Sequence, residues 1–242
     1  MRAVDVVAIG AHPDDVEASC GGLLAKLAAR GRTIAVCDLT RGELGSNGTV
    51  EERAREAAHA AQVLGVEHRI GLELPDGGLD GRDPGQTQVV VRMLRQLRPR
   101  LVIAPHRRAR HPDHVEAAEL VGRAIFFAGV HRFANDMPAI ERPTLIHGLD
   151  YFAMRDSFIV DVSPWMETKL AALRCYASQF VRAAGTQPTL LNDPAYMDRI
   201  RMHASWYGAR IGCEAGEPYA YAAGVPVDDP VAVLGIDREV EG

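Results

Sequence analysis

The chain has 242 residues, 47% of them hydrophobic, which is enough apolar material to bury one large core or two small ones. A net charge of −5 argues against a role in binding nucleic acid or an anionic membrane surface. The four cysteines include no CxxC pair and no segment approaches the roughly 18 apolar residues of a membrane span, so we expect a soluble cytoplasmic protein without disulfides.

The N-terminal segment predicts a strand, a helix and a second strand. Residues 4–9 are apolar and β-branched, which is typical of a buried parallel strand. Residues 16–30 repeat apolar side chains at helical spacing and stop at Gly31, a suitable C-terminal cap. Residues 33–39 are again apolar and predict the second buried strand.

The same alternation continues to residue 130. Thr49 and Glu52 form a capping box that opens a helix, whose predicted packing stripe is Ala54, Ala57, Ala58 and Ala61. A weaker third strand covers residues 69–74, and apolar residues from Val90 to Leu97 mark a third helix. Residues 101–105 predict a fourth strand and residues 115–128 a fourth helix that ends at Gly129. Alternating strands and helices predict a Rossmann-like α/β fold, with a mostly parallel sheet covered by helices on both faces.

The last third of the chain is less regular. Residues 144–151 and 157–161 predict further strands, and Ser163-Pro164 and Asp193-Pro194 each combine an N-cap residue with a proline suited to the first helical position. The Gly- and Pro-rich residues 215–229 predict an extended tail. We see no linker, so we expect a single domain over residues 1–242, in which 1–130 form the core and 131–242 an extension.

Two polar motifs follow two strands of the predicted sheet. His12-Pro13-Asp14-Asp15 comes after the first strand, and Arg110-His111-Pro112-Asp113-His114 comes after the fourth. In the commonest doubly wound order these two strands are neighbours, and ligands bind in the crevice between their carboxyl ends. The two motifs are therefore expected to meet in one crevice.

The spacing within the motifs suits a metal ion. In both motifs a proline precedes the start of a helix, so the residues just after it are expected to project from the first helical turn. His12 and Asp15 are three residues apart, as are His111 and His114. Two histidines with one carboxylate form a known catalytic zinc arrangement, and the same set also holds iron(II). We assign His12, Asp15 and His114 as ligands, which leaves Asp14 to act on water and His111 to face a substrate. Taken singly, each residue also has an ordinary interpretation as a buried histidine or a helix-capping carboxylate.

The loop over residues 40–49 is expected to border the same crevice. Glu43, Ser46, Asn47 and, just beyond the loop, Arg53 are candidates for polar substrate contacts, although the glycines and polar residues of the loop also suit simple turns. The sequence lacks a G-x-G-x-x-G fingerprint, a Walker A motif and a G-x-S-x-G nucleophile elbow. Cys20 and Cys37 lie in apolar segments, where cysteine is ordinarily structural.

Four segments together resemble one family. AHPDD at residues 11–15, DLTRGELGSNGT at 38–49, LPDGGL at 74–79 and RHPDH at 110–114 resemble the PIG-L/LmbE-like metal-dependent N-acetylglucosaminyl deacetylases. The DLTRGELGSNGT segment at residues 38–49, together with GRAIFFAGVHRF at residues 122–133, resembles the branch that takes part in bacillithiol biosynthesis. The sequence departs from the family pattern at Ala109 and Tyr221, where relatives usually carry an acidic residue.

The resemblance implies a role for each residue of the motifs. It places the metal ligands on His12, Asp15 and His114, the general base on Asp14 and the oxyanion-stabilising histidine, in its protonated form, on His111. It further implies that Asp113 orients His111 and that Arg53 and Arg110 contact the substrate; the cofactor would be Zn²⁺, with Fe²⁺ or another divalent metal as the alternative. A homo-oligomer is also implied.

The function expected from these residues is hydrolytic removal of an N-acetyl group from an N-acetylglucosamine conjugate. N-acetylglucosaminyl-malate is the first expectation for this small-molecule substrate, since Arg53 and Arg110 could pair with the malate carboxylates. An inositol conjugate or a chitin fragment is the alternative within the same chemistry. A non-catalytic metal- or sugar-binding module and, more remotely, an iron oxygenase are alternatives of other classes.

Overall fold

A computed structural model of the chain describes residues 3–134, 136–148, 156–224 and 227–228. The strands are β1 Val6–Gly10, β2 Ile34–Asp38, β3 His68–Gly71, β4 Leu101–Pro105, β5 Thr144–Gly148, β6 Phe158–Asp161 and β7 Gly216–Ala220. The helices are α1 Asp15–Ala29, α2 Val50–Leu64, α3 Pro84–Leu97, α4 Pro112–Ala128, α5 Met166–Arg174, α6 Ala177–Phe180 and α7 Tyr196–Arg210, with a 3₁₀ turn at Ser163–Trp165 before α5.

All of these strands belong to one sheet in the order β3-β2-β1-β4-β5-β7-β6. Strands β1 to β5 run parallel, and β7 runs antiparallel to both β5 and β6. The chain reverses its direction of strand addition between β1 and β4, which pair directly through Val7 and Val102. The predicted Rossmann-like α/β class and the predicted β1–β4 neighbourhood are confirmed, so both polar motifs leave the sheet at its topological switch point.

The sheet is covered on both faces because its central strands are apolar at almost every position. In β1, Val7 and Ile9 pack against α3 and α4, whereas Val6 and Ala8 pack against α1, α2 and α5. All five residues of β1 and of β2 are buried, as expected for parallel strands with helices on either side. These two cores hold the carboxyl ends of β1 and β4 in fixed positions.

The predicted helix ends agree with the structure better than the predicted buried faces do. Gly31 follows α1 with a φ of +73°, and the Thr49 side chain accepts a hydrogen bond from Glu52 N at the start of α2. The alanine stripe of α2 is only half right, because Ala54 and Ala58 are exposed. The buried face instead consists of Arg53, Glu56, Ala57, Ala60, Ala61 and Leu64. Arg53 and Glu56 on this face are hydrogen-bonded to Asp14 and Ser178, and hydrophobic patterning does not predict such buried charged residues.

The end of α4 is fastened by a buried arginine of α3. The Arg95 side chain is 3% exposed and donates hydrogen bonds to five backbone carbonyl groups. These acceptors are the carbonyl oxygens of Phe127, Ala128, Val130, Ala134 and Met137. The guanidinium therefore gives a further hydrogen bond to the last two carbonyl groups of α4 and to three carbonyl groups of the segment that follows it. A positive charge at this end of α4 also complements the helix dipole.

The C-terminal third corrects the sequence analysis at several points. The sequence predicts an extended tail over residues 215–229, but residues 216–220 form β7 between β5 and β6. Pro218 is tolerated there because β5 pairs only with the two residues after it. The helix expected at Asp193-Pro194 begins at Tyr196, and Ser163 lies in the 3₁₀ turn and not at a helix cap. The part of the predicted strand after residue 148 lies outside the described residues.

Two further expectations concern the whole chain. Within the described residues, no helix is both long enough and apolar enough to cross a lipid bilayer. All four cysteines are free, and burial raises the pKa of the Cys20 and Cys37 thiols. Both thiols are therefore protonated at neutral pH, which fits the structural role expected for them.

Candidate metal and catalytic site

The first polar motif forms the turn between β1 and α1. His12 and Asp14 stand in the turn, and Asp15 is the first residue of the helix, where its Oδ2 accepts a hydrogen bond from His12 N at 2.7 Å. Asp14 has a φ of +106°, in a region that residues other than glycine rarely occupy. Backbone strain of this kind is concentrated at functional sites, where the surrounding structure enforces it.

The second motif starts α4 directly opposite the first. His111 is the N-cap residue and Pro112 the first residue of the helix, so His114 projects from its first turn. The ring centroid of His12 lies 4.8 Å from that of His111 and 5.6 Å from that of His114, while His111 and His114 are 5.3 Å apart. The expected meeting of the two motifs in one crevice is therefore observed.

The carboxylate of Asp15 joins the two other predicted ligands. Its Oδ2 lies 3.3 Å from His12 Nδ1, and its Oδ1 lies 3.0 Å from His114 Nε2. The structure thus brings together His12, Asp15 and His114, the three residues that the sequence predicts as ligands. Among the described residues, two overlapping groups have one donor atom each within 4.8 Å of one another, and neither includes Asp15. One is formed by His12 with His111 and His114 and the other by His12 with Asp76 and Asp113.

Asp76 is a site residue that the motif spacing does not identify. Its Oδ1 lies 3.1 Å from His12 Nε2, and its Oδ2 accepts a hydrogen bond from Leu44 N at 2.8 Å. Asp113 Oδ2 lies 3.2 Å from the same imidazole nitrogen. Two carboxylates therefore hold one nitrogen of His12 and direct the other towards Asp15, as is usual for a metal-binding histidine. The LPDGGL segment contains this aspartate and is the one signal in the sequence that points to it.

The structure changes the expected relation between Asp113 and His111. The Asp113 carboxylate contacts His12 and Gly77 N, whereas His111 is contacted by the Asp113 backbone, whose N–H donates to His111 Nδ1 at 3.2 Å. Since Nδ1 accepts a hydrogen bond, the proton of a neutral His111 ring resides on Nε2. Burial and the neighbouring charged rings of His12 and His114 lower the pKa of His111. The structure therefore favours a neutral Nε2–H donor over the protonated His111 expected from the resemblance.

The charges and donor atoms of the site fit a divalent cation. Burial tends to lower the pKa of His12, but the hydrogen bond and charge of Asp15, with the charges of Asp76 and Asp14, raise it to about 10. Without a metal, His12 therefore carries protons on both ring nitrogens, each of which faces a carboxylate. A divalent cation would take the place of a proton on His12, and imidazole nitrogen with carboxylate oxygen is a donor set that zinc accepts.

Asp14 is held beside this group by a buried arginine. Its Oδ2 lies 3.0 Å from Arg53 Nη2, which also donates to Pro13 O at 2.6 Å, while Nη1 donates to Gly42 O at 3.0 Å. Burial raises the pKa of Asp14 to about 7, against the lowering effect of the Arg53 charge. A carboxylate that titrates near neutral pH is suited to general base and then general acid catalysis.

A second buried network braces the first turn of α1 from behind. Arg69 binds both carboxylate oxygens of Asp38 at 2.7 and 2.8 Å, and its Nη1 binds Glu17 Oε1. Tyr176 donates its hydroxyl to the same Glu17 oxygen at 3.0 Å. This network ties α1 to β2, β3 and the segment after α5, and so fixes the helix that presents Asp14 and Asp15.

The remaining predicted substrate residues differ in position. Arg110 lies at the opening of the site, but Arg53 is 4% exposed and its guanidinium serves Asp14. Glu43 accepts hydrogen bonds from the backbone N–H groups of Arg41 and Asp76. The Asn47 side chain pairs with the backbone of Gln187 in both directions, at 2.8 and 2.9 Å. Glu43 and Asn47 therefore order the loops around the site in this structure.

A cavity of about 590 Å³ opens onto these residues. Its polar lining residues include Asp14, Asp15, Asp76, Arg110 and the three clustered histidines His12, His111 and His114. Other lining residues come from α1, α6, α7 and β7. The cavity is large enough for a small-molecule ligand, and the catalytic candidates lie on one side of it.

Comparison with known proteins agrees with this architecture. Residues 7–125 match the family model described as PIG-L: GlcNAc-PI de-N-acetylase. The chain is 32% identical over 227 residues to diacetylchitobiose deacetylase of Thermococcus kodakarensis, covering 85% of this chain and 82% of that protein. It is 28% identical over 280 residues to 1D-myo-inositol 2-acetamido-2-deoxy-alpha-D-glucopyranoside deacetylase of Corynebacterium glutamicum, covering 95% and 94% of the two chains.

A solved structure shows the same fold over almost the whole chain. The conserved protein TT1542 from Thermus thermophilus superposes with a TM-score of 0.85 at 34% identity, covering 94% of this chain and 98% of that chain. The similarity therefore extends through the C-terminal third as well as the segment that matches the family model. Sequence, fold and the meeting of the two His-Pro-Asp motifs lead to one conclusion: the chain belongs to the PIG-L family.

Proposed function

We propose that this protein hydrolyses the acetamide of an N-acetylglucosamine conjugate and releases acetate and the free amino sugar. The observation that carries this proposal is the position of Asp14. Its buried carboxylate lies beside Arg53 and directly precedes Asp15, whose two oxygens contact His12 and His114. A pure binding site would need the ligand group but not a strained, buried carboxylate with a pKa near neutrality next to it.

The relatives support the substrate class. The two curated relatives have names that describe removal of an acetyl group from a 2-acetamido sugar, one a chitobiose and the other an inositol conjugate. The sugar bearing the acetamide is common to both names, and the group attached to it differs. We therefore place the acetamido sugar beside the catalytic residues and the group attached to it in the surrounding part of the cavity.

His12, Asp15 and His114 would hold the cofactor, for which zinc is the first choice and iron(II) or another divalent ion the alternative. Such an ion would polarise the amide carbonyl and lower the pKa of a water molecule. Asp76 and Asp113 contribute by fixing His12 through Nε2.

The chain's own groups would move the protons. Asp14 accepts a proton from the attacking water, whose oxygen bonds to the acyl carbon, and returns that proton to the nitrogen as the C–N bond breaks. Arg53 keeps the Asp14 carboxylate in place through this cycle. The Nε2–H of His111 donates to the carbonyl oxygen as negative charge develops on it, a contribution whose loss typically costs about 100- to 1,000-fold in rate.

For the conjugate itself we propose malate as the first candidate. Arg110 lies at the mouth of the cavity and is exposed, so it is available to pair with carboxylates attached to the sugar. An inositol or a second sugar in place of malate would leave the proposed reaction unchanged.

Release of free amine from three compounds tests this proposal: N-acetylglucosaminyl-malate, the corresponding inositol conjugate and diacetylchitobiose. Each is assayed after chelation, with and without added zinc, for the wild type and for Asp14→Asn. We expect metal-dependent release that is highest for the malate compound and is reduced at least about 1,000-fold by the substitution, while zinc binding is retained. Preference for another conjugate would overturn the malate assignment alone. No release from any of the three with zinc bound would favour a binding protein.

A further inference from the structure

The cavity continues beyond the catalytic residues into a part that the acetyl group does not need. This apolar chamber is lined by Ala18, Leu191, Tyr196, Ile200, Ala204 and Pro218. Five of these residues belong to or pack against one hydrophobic cluster between α1, α5 and α7. The chamber is therefore a built part of the core that remains open towards the site.

The chamber begins next to the reacting groups. Ala18 follows Asp15 by three residues and donates its backbone N–H to Asp14 O at 3.0 Å. Residues three apart in a helix lie on the same face, so the Ala18 side of α1 continues directly from the carboxylate of Asp15. A group attached to the acyl carbon of a bound amide is thus within reach of the chamber.

The charged residues in the chamber wall are already paired. Lys169 Nζ lies 2.6 Å from Glu217 Oε1, and Glu217 also accepts hydrogen bonds from Gly22 N, Leu23 N and the Tyr219 hydroxyl. Both side chains are almost completely buried. The Glu217 carboxylate is therefore fully hydrogen-bonded within the protein. The apolar residues of the chamber lie beside polar lining residues, which include Ser19, Gln179, Thr189 and His203.

The geometry points to a further activity, which rests on the proposed function: hydrolysis of N-acyl amino sugars whose acyl chain is longer than acetyl. Arg110, an exposed residue of the polar side of the cavity, suits the anionic part of the conjugate, so the apolar chamber is left for the acyl end. The reaction is balanced as for acetyl: water adds its oxygen to the acyl carbon, the C–N bond breaks, and a fatty carboxylate and the amine result.

An acyl-length series on the wild-type enzyme measures this directly. N-acetyl, N-butanoyl and N-hexanoyl forms of the same glucosamine conjugate are compared by kcat/KM. Burial of each methylene contributes about 0.8 kcal/mol, which corresponds to about a fourfold rise in kcat/KM for each added carbon that enters the chamber. A fall of tenfold or more from acetyl to butanoyl would overturn the inference while leaving the deacetylase proposal intact. Absence of activity on every form, acetyl included, would overturn both.

Three substitutions in α7, one of them a control, test whether the chamber causes the dependence on acyl length. Ala204→Phe places a ring in the chamber wall, and we expect it to lower the hexanoyl-to-acetyl ratio of kcat/KM at least tenfold. Met202→Phe is the matched control, because Met202 is 68% exposed on the same helix and its ratio should remain that of the wild type. Ile200→Ala enlarges the chamber and should move the preference towards longer chains, which keeps the test valid if Ala204→Phe does not fold.

An apolar group attached at the sugar's anomeric carbon is the competing occupant. The octyl glycoside of N-acetylglucosamine is therefore assayed beside the acyl series. If its kcat/KM exceeds that of the methyl glycoside and Ala204→Phe removes the gain, while the acyl series shows no rise, the chamber holds the aglycone and the inference is wrong. A rise in the acyl series that Ala204→Phe abolishes supports it.

Discussion

Asp14 shows how much of the surrounding structure is needed to place a single carboxylate. Its backbone is in the left-handed region, its side chain is buried, and its partner Arg53 comes from α2. Arg53 in turn depends on Gly42, since a Cβ at that position would lie 1.9 Å from Arg53 Nη1. The close approach of the Gly42 backbone therefore determines where the guanidinium meets Asp14.

Substitution Gly42→Ala is expected to reduce kcat at least tenfold because it displaces Arg53 from Asp14. Gly31→Ala is the matched control: Gly31 also has a φ of +73°, against +66° for Gly42, but nothing lies within 4 Å of its added Cβ. Both variants incur a backbone cost of about 1 kcal/mol, read from urea unfolding, and only the first should lose activity. Equal loss of activity in both would show that strain alone, and not Arg53, is responsible.

At the residue scale, the sequence predicts which side chains lie close together in the site but not all of their hydrogen-bond partners. The His-Pro-Asp motifs are sufficient to place His12, Asp15 and His114 together, because motif position on adjacent strands is a property of topology. The Asp76 contact with His12 is not predictable in this way, since it joins two loops whose conformations are set by tertiary hydrogen bonds such as that from Leu44 N. The reassignment of Asp113 has the same origin, because one carboxylate can reach either imidazole.

At the scale of helices and strands, some positions are fixed by buried polar residues, which a prediction from hydrophobic patterning does not expect. Arg95 and Glu56 occupy buried positions in α3 and α2, where Arg95 donates to five carbonyl groups and Glu56 accepts two hydrogen bonds from Ser178. The prediction of buried faces fails where such polar residues replace apolar ones, as in the alanine stripe of α2. It fails at β7 because Gly216 and Pro218 suggest irregular structure, and only the pairing with β5 and β6 makes that segment a strand.

Arg95→Lys tests whether the arginine fork is needed at the end of α4. An ammonium has three donors in a tetrahedral arrangement and cannot satisfy five carbonyls spread around a planar group. We expect the free energy of unfolding to fall by at least about 2 kcal/mol, because several buried hydrogen bonds made by a charged group are lost. Arg92→Lys is the control on the same helix; Arg92 makes an exposed ion pair with Asp136, and its replacement should change stability by less than about 0.5 kcal/mol.

His147 in β5 makes a contribution to folding stability that decreases as the pH falls. Burial lowers its pKa, against the hydrogen bond that its Nδ1 donates to Pro105 O at 2.7 Å, and the charges of His106 and Arg107 lower it further. The unfolded chain therefore binds a proton at about pH 6.5 while the folded chain remains neutral. The stability supplied by His147 is complete above about pH 6.5 and is lost as the pH falls towards its folded pKa.

The comparison that isolates this effect is the stability difference between the wild type and His147→Gln. Urea midpoints at about pH 8 and about pH 5, on either side of the ordinary histidine pKa, should show a larger advantage for the wild type at the higher pH. Titration of other groups affects both proteins and cancels from the difference. An advantage that is the same at both pH values, or larger in acid, would contradict the assigned direction.

At the scale of the whole molecule, the C-terminal third is joined to the first helix through the sheet. Strand β7 lies between β5 and β6, and its Glu217 accepts hydrogen bonds from two backbone N–H groups of α1. We therefore propose that residues 1–130 and the extension unfold as one domain. The sequence indicates this only by the lack of a linker, because a contact between residues 195 positions apart has no local signature.

Two probes can test this single transition in guanidinium chloride. The two tryptophans, Trp165 and Trp206, report on the C-terminal third by fluorescence, and exposure of Cys37 in β2 to a thiol reagent reports on the core. We expect the two transitions to coincide within experimental error. Loss of tryptophan signal at lower denaturant than Cys37 exposure would show that the extension unfolds separately.

Metal binding should also be visible in the stability of the whole chain. Zinc at about 100 times its dissociation constant stabilises the folded state by about 2.7 kcal/mol, which for a chain of this size raises Tm by roughly 5–10 °C. Asp15→Asn should remove most of this shift, since Asp15 contacts both His12 and His114. Asp80→Asn changes an exposed carboxylate and should keep the shift. An undiminished shift in Asp15→Asn would remove Asp15 from the ligand set.

The five acceptors of Arg95 have a consequence for how this protein can vary during evolution. All five are backbone carbonyls, so the guanidinium places little restriction on the side chains between residues 127 and 137. Mutations can accumulate in that segment without loss of the contacts, whereas replacement of Arg95 would break all five at once. Related sequences that keep this geometry should therefore retain the arginine within a neighbourhood that diverges freely, and a deletion in the segment should be accompanied by a change at position 95.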